Sequence, residues 1–141
     1  MTLDAAGSGS RRRVLIVDDF PDITTMLEEL VTMLGHEARV ANHGGEAIEI
    51  AREFHPDLVL LDLGMPPPDG FEVCRRLRAL PDGDAMELVA MSGWGHAAAR
   101  QQAIEAGFDR HLLKPITLAH LHALLEAPRR ALRPVHGEIT S

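Results

Sequence analysis

The sequence predicts an α/β fold, a doubly wound parallel sheet of five strands with helices on both faces, from three observations. Apolar runs of strand length recur at residues 13–17, 37–41, 57–62, 86–91 and 109–113. Helical patterns separate them, and strands alternating with helices build parallel sheets whose crossovers cover both faces. The residues able to do chemistry gather at the ends of these runs: Asp18 and Asp19 after the first, Asp62 in the third, Ser92 after the fourth and Lys114 after the fifth.

Each element has its own signal. The first run, Val14 to Val17, is continuously apolar, as a strand buried on both faces must be, and it stops abruptly at two adjacent carboxylates. A helix then opens at Phe20-Pro21-Asp22. Ile23, Met26, Leu27, Leu30, Val31 and Leu34 fall on one buried stripe, and Gly35 stands where a C-terminal cap belongs. The second helix is placed at about 45–53. The third follows Asp69-Gly70 and buries Phe71, Cys74 and Leu77, which makes Cys74 a packing residue rather than a reactive thiol. "PPP" at 66–68 reads as a stiff loop ahead of it. The fourth helix, about 96–106, has Ile104 as its only large apolar residue and ends at Gly107, so it is expected to be loosely held. The fifth begins at Thr117, a good N-cap, and turns Leu118, Leu121, Leu124 and Leu125 inward. The expected organisation is a flexible segment 1–10, one domain 11–126 and a tail 127–141.

Composition narrows the function. With 141 residues, 45% hydrophobic and 25% charged, the chain is long enough for a single core. No apolar run approaches a membrane span, the N-terminus lacks the apolar segment of a signal peptide, and the lone Cys74 forms no internal disulfide, so a cytoplasmic protein is expected. A net charge of −7 argues against a nucleic-acid partner. The basic groups Arg11 to Arg13 and Arg129, Arg130 and Arg133 read as solvated flanks of the domain. Eight His without ligand spacing give no zinc site.

Ligands of an open parallel sheet bind beyond the carboxyl ends of its strands, where strand order reverses. If strands one and three are central neighbours, Asp18, Asp19 and Asp62 meet in one crevice, with Ser92 and Lys114 supplied from the far side. Three carboxylates raise one another's pKa unless positive charge holds them ionised. A hard divalent cation together with Lys114 does so, and oxygen-only ligation suits Mg2+. Asp62 is the candidate nucleophile, because a carboxylate is already ionised at neutral pH and forms acyl phosphates. Ser92 is placed to donate a hydrogen bond to a transferred phosphoryl group. Taken alone, Asp18-Asp19 also fits a helix N-cap with a solvent-facing neighbour.

The series "VDD", "LLDLGMPPPDG", "MSG" and "LLKP", in this order, resembles the receiver domain of two-component response regulators over about residues 11–126. The resemblance implies a flavodoxin-like sheet with strand order 2-1-3-4-5. It also implies that Asp62 accepts a phosphoryl group from a histidine kinase or histidine phosphotransfer protein, and that Mg2+ is bound by Asp18, Asp19, Asp62 and the Gly64 backbone carbonyl, Asp19 being the more direct ligand. Ser92 is then the switch hydroxyl, and Lys114 the lysine whose bond to Pro115 is cis.

Two positions depart from the pattern or modulate it. Receivers usually carry Tyr or Phe three residues before the lysine as the partner of the switch hydroxyl, and here that position is His111, either a tolerated half-buried His or a pH-sensitive one. Gly64 and Trp94 occupy positions that influence phosphoryl lifetime in the family, Gly64 leaving water access open and Trp94 hindering it. "GFDRHLLKP" is similar to receivers joined to hybrid histidine kinases.

The expected protein is a single-domain response regulator, not an enzyme acting on external substrates, that signals to a downstream protein as a monomer or weak homodimer, without nucleic acid or membrane. The alternatives are a receiver cut from a hybrid kinase and a phosphate-independent scaffold. An Asp-nucleophile phosphatase resembles D-x-D at the nucleophile, and Gly64 stands at the second Asp; a nucleotide- or flavin-binding module needs a Gly-rich phosphate loop where Asp18-Asp19-Phe20-Pro21 stands.

Overall fold

Apolar residues on both sides of a strand require cover on both sides, and the three innermost strands meet that condition. β1 (Arg13–Val17) buries everything after Arg13, while β3 (Leu58–Asp62) and β4 (Glu87–Ser92) bury every residue. β2 (Glu37–Ala41) and β5 (Arg110–Leu113) are partly exposed and carry charge, which suits edge strands. A computed structural model describes residues 11–93 and 97–127 and pairs the strands in parallel in the order β2-β1-β3-β4-β5. The fold class is the one predicted, and strand limits agree within a residue. The expectation for Trp94 lies outside the described residues, as do those for residues 1–10 and 128–141.

Side chains alternate along each strand, so the sheet has two cores. Val14 and Ile16 pack with Leu27 and Val31 of α1 (Pro21–Met33) and Leu121, Leu124 and Leu125 of α5 (Leu118–Glu126). Leu15 and Val17 face α2 (Gly44–Phe54), α3 (Gly70–Arg78) and α4 (Ala97–Ala106). Gly35, just past α1, takes φ +96°, a conformation that favours glycine and ends the helix. Thr117 caps α5, its hydroxyl accepting from the His120 amide while His120 Nδ1 accepts from the Thr117 amide. Among the described residues two X-Pro bonds are cis, Lys114–Pro115 and Pro67–Pro68. Among the described residues no helix is long and apolar enough to cross a membrane.

Several burial expectations are corrected. Met26 is exposed because it stands about 100° around the helix from Leu27, the centre of the buried stripe. Leu118 is exposed as well, since Ile116 already fills the core at the entrance to α5. Phe71 is half-buried and meets Phe108 edge-on at 6.5 Å. Helix α4 is anchored by buried Ala103 and Ala106, with Ile104 only partly covered. Among the side chains of α4 that are described, only these two small ones are fully buried, and they bury little apolar area. Cys74 is buried, and its thiol donates to the Ala106 carbonyl at 3.3 Å.

The larger correction concerns the basic flank. Arg12 is not solvated: it is 3% exposed, with Nε 3.1 Å from Asp57 and Nη2 3.2 Å from Glu87. Arg110 of β5 holds the other Glu87 oxygen at 2.9 Å, and the Arg12 amide donates to His36 Nδ1 at 3.0 Å. That bond needs an unprotonated Nδ1, and burial followed by the Arg12 charge holds His36 below its ordinary pKa. This network joins β1, the turn before β2, the start of β3, β4 and β5 at the end of the sheet opposite the strand-end carboxylates. Removing one partner of a buried ion pair strands the other charge. Arg12→Ala is therefore expected to lower stability by about 3–5 kcal/mol, read as a lower urea midpoint at unchanged slope; an unaltered midpoint would contradict the role given to this network.

Candidate functional site

Strand order reverses between β1 and β3, which opens a crevice at their carboxyl ends. Asp18 follows β1 directly, Asp62 closes β3, Ser92 closes β4 and Lys114 follows β5. The Lys114 amide donates to the Ser92 carbonyl at 2.8 Å, extending the β4–β5 ladder by one residue and fixing where the lysine begins. Its ammonium then reaches back across the sheet. Nζ donates to Asp18 Oδ2 at 2.8 Å and lies 3.2 Å from Asp62 Oδ1.

Backbone donors complete the carboxylates. Asp18 Oδ1 accepts from the Phe20 amide at 3.0 Å, and Asp62 Oδ1 accepts from the Gly64 amide at 3.1 Å. The N-cap residue of α1 is Phe20, so Asp18 is committed to Lys114 and the loop rather than to capping. Sequence reasoning passed over Asn42, whose side-chain amide donates to the Asp18 carbonyl at 2.9 Å and to Thr24 Oγ1 at 3.0 Å. Asn42 follows β2, so the rule that found the other strand-end residues also points to it. Gly70 is a further silent requirement. A Cβ there would overlap the Asp62 carbonyl oxygen and come within 2.8 Å of Leu63 Cα, so glycine lets α3 start directly against the residue that carries the carboxylate.

Asp18, Asp19 and Asp62 each bring an oxygen within 4.8 Å of the others. Asp18 and Asp62 are buried and Asp19 is exposed, a charged all-oxygen set open to water on one side. Such donors fit a hard divalent cation that keeps part of its hydration shell. Burial raises the Asp62 pKa, with Asp18 adding to the rise; the Gly64 amide and Lys114 oppose it. Desolvation contributes more to this shift than the repulsion by Asp18. Burial works against the Lys114 charge, but the bond to Asp18 and the charges of Asp62 and Asp18 prevail and hold its pKa above the ordinary value.

On the other side of the crevice Ser92 is 2% exposed, and its Oγ is 2.7 Å from His111 Nε2. The position that receivers fill with Tyr or Phe is thus hydrogen-bonded to the hydroxyl rather than merely packed near it. His111 is half-buried; burial, then the Arg100 charge, hold it below its ordinary pKa.

A family model described as the response regulator receiver domain matches residues 14–126. The chain belongs to the response regulator receiver domain family. Among curated relatives of this receiver, the response regulator MprA of Mycobacterium leprae is 34% identical over 122 residues, which cover 86% of this chain and 53% of MprA. A probable transcriptional regulator of Porphyra purpurea is 33% identical over 85% of this chain and 48% of its own length. The chain spans about half the length of the curated relatives it matches. Among solved structures, the chemotaxis protein CheY4 of Vibrio cholerae aligns with TM-score 0.79 at 25% identity, covering 83% of this chain and 98% of CheY4. The receiver domain of a sensor histidine kinase from Pseudomonas aeruginosa, described with a magnesium ion coordinated in its active-site cleft, aligns with TM-score 0.75 at 26% identity over 83% of this chain and 96% of its own.

A carboxyl pKa that is higher folded than unfolded means that the folded state binds more protons, so stability falls as pH rises through that range. Ionised Asp62 is then destabilising at neutral pH. Without divalent metal, Asp62→Asn is expected to unfold at a higher temperature than the wild type at pH 7, the gap closing as pH falls through the raised Asp62 pKa and gone below about 4. A less stable variant at pH 7 would contradict this balance of burial over Lys114.

Proposed function

We propose that this receiver accepts a phosphoryl group from a phosphohistidine on a partner protein onto Asp62, and that the modified domain signals through an altered protein-protein surface. The observation that carries this reading is the single ammonium of Lys114, bonded to both Asp18 and Asp62 inside a cluster of three carboxylates. In the transfer an Asp62 oxygen bonds to phosphorus as the phosphorus–nitrogen bond breaks, and the electron pair leaves with the donor imidazole. Such a reaction asks the protein for position and charge neutralisation rather than for a strong base. Burial keeps Asp62 fixed, the Gly64 amide orients it, and Lys114 is close enough to follow the charge from carboxylate to phosphoryl oxygen.

Mg2+, held by Asp18, Asp19, Asp62 and the Gly64 carbonyl, would supply further positive charge at the phosphoryl oxygens. The all-oxygen cluster supports that assignment, and the magnesium described for the Pseudomonas aeruginosa receiver agrees with it. The donor would arrive over the α1 side of the crevice. Phe20 is 65% exposed beside the acid pair, and a cavity of about 310 Å3 between α1 and the β5–α5 loop is lined by Ile23, Met26, Pro115 and Ile116 as well as by Lys114. Exposed apolar residues gathered beside a charged centre suit a protein docking site. An Asp-nucleophile phosphatase is disfavoured by Gly64, which puts no second carboxylate two residues after Asp62.

Incubation with acetyl phosphate and Mg2+ tests the reading by intact mass. One phosphoryl adduct is expected on the wild type, none on Asp62→Asn, and at least about tenfold slower formation on Lys114→Met, a loss of transition-state stabilisation near 1.4 kcal/mol or more. No adduct on the wild type, with or without Mg2+, would overturn it.

A further inference from the structure

We propose that His111 is a positioning residue that sets the direction of the Ser92 hydroxyl proton, so that protonating its imidazole favours the phosphorylated state of Asp62. The inference deepens the phosphoryl-acceptor reading and rests on it. Its basis is the 2.7 Å contact between Ser92 Oγ and His111 Nε2.

A serine hydroxyl has one proton and two lone pairs, and a neutral imidazole has one N–H and one bare nitrogen. When Nε2 is bare, Ser92 donates to it. The hydroxyl proton then points away from Asp62, and Ser92 presents only lone pairs to a phosphoryl oxygen. When Nε2 carries a proton, His111 donates to Oγ instead. The Ser92 proton is released to point at an anionic oxygen on Asp62, where a charge-assisted bond is the stronger kind. The imidazolium holds both nitrogens protonated and locks the second arrangement. Neutral His111 reaches it only by selecting the other tautomer.

The surroundings favour a neutral resting imidazole. His111 pairs with Ala90 in the β4–β5 register and so faces α4, where Arg100 is the charged group that acts on it; β4 contributes the uncharged Ala90 and Ser92. No carboxylate among the described residues acts on His111 strongly enough to hold a proton there. A phosphoryl group on Asp62 adds negative charge on the far side of Ser92 and strengthens the case for protonation. Linkage makes the effect reciprocal: if phosphorylation raises the proton affinity of His111, protons stabilise the phosphorylated form by the same factor. The sign is fixed. Acidification through the interval between the two His111 pKa values favours the modified receiver, and the preference disappears above the higher value. A Tyr or Phe at this position has no proton to exchange in that range.

The imidazole carbon protons of His111 can be followed by NMR through a pH titration of the whole chain with Mg2+, with and without beryllium fluoride, a mimic of an acyl phosphate. The expected result is a His111 pKa at least one unit higher with the mimic, which corresponds to about tenfold tighter retention of the mimic at the acid end than at the alkaline end. Ser92→Ala is expected to abolish most of that rise, and His111→Phe to flatten the pH dependence of mimic affinity. Binding of the mimic with an unmoved His111 pKa overturns this inference alone. Failure of the mimic to bind wild type while Mg2+ binds overturns the phosphoryl-acceptor reading, and the inference with it.

Discussion

The site depends on one ammonium shared between two buried carboxylates. Two unit charges 4 Å apart near a protein surface interact by about 4 kcal/mol at an effective dielectric near 20. A domain of this size has a total stability of only about 5–15 kcal/mol. Asp18 and Asp62 left to repel each other in a desolvated crevice would consume much of that margin. Lys114 offsets the repulsion by bonding both, and it does so from the opposite half of the sheet. Strand order, the Lys114 amide bond to Ser92 and the cover over β1, β3 and β4 can all be understood as the conditions for that reach.

The two ends of the sheet treat charge differently, and the difference separates stability from function. At the amino-terminal end Arg12, Asp57, Glu87 and Arg110 form a closed set of opposite charges. Arg78 does similar work behind α3, donating to the Gly83, Met86 and Gly107 carbonyls and pairing with buried Asp109. At the carboxyl end, among the described residues, one cation faces three carboxylates, and the surplus negative charge is what a metal ion would answer. These ion pairs hold the strand starts and the α3 flank, away from the crevice mouth.

The fold was legible because buried parallel strands are written as consecutive apolar residues, which admit few other readings. The chemical residues were legible for a related reason: Asp18, Asp62, Ser92 and Lys114 interrupt those runs at the same relative position, and topology does the rest. What the sequence concealed depends on contacts between distant segments. Arg12 looked like one of three solvated arginines, since nothing local announces Asp57 and Glu87, its partners 45 and 75 residues away. The bond between His111 and Ser92 spans 19 residues and turns a departure from the family pattern into a hydrogen-bonded pair. Met26 and Leu118 belong to apolar patterns, yet the first lies off the buried stripe and the second is displaced from the core by Ile116. Asn42 stands at a strand end like the others but acts on a backbone carbonyl, and Gly70 acts through a missing Cβ, which no side-chain pattern encodes.

The central claim is that the acid cluster, balanced but not saturated by Lys114, is a cation site. Titration calorimetry with Mg2+ on wild type, Asp19→Asn and the control Asp22→Asn tests it most directly, because Asp19 is exposed and its substitution leaves the buried lysine bridge in place. One site per chain is expected, weakened at least about tenfold, or 1.4 kcal/mol, by Asp19→Asn and unchanged by Asp22→Asn. Equal affinity in all three proteins, or no binding to the wild type, would contradict the account.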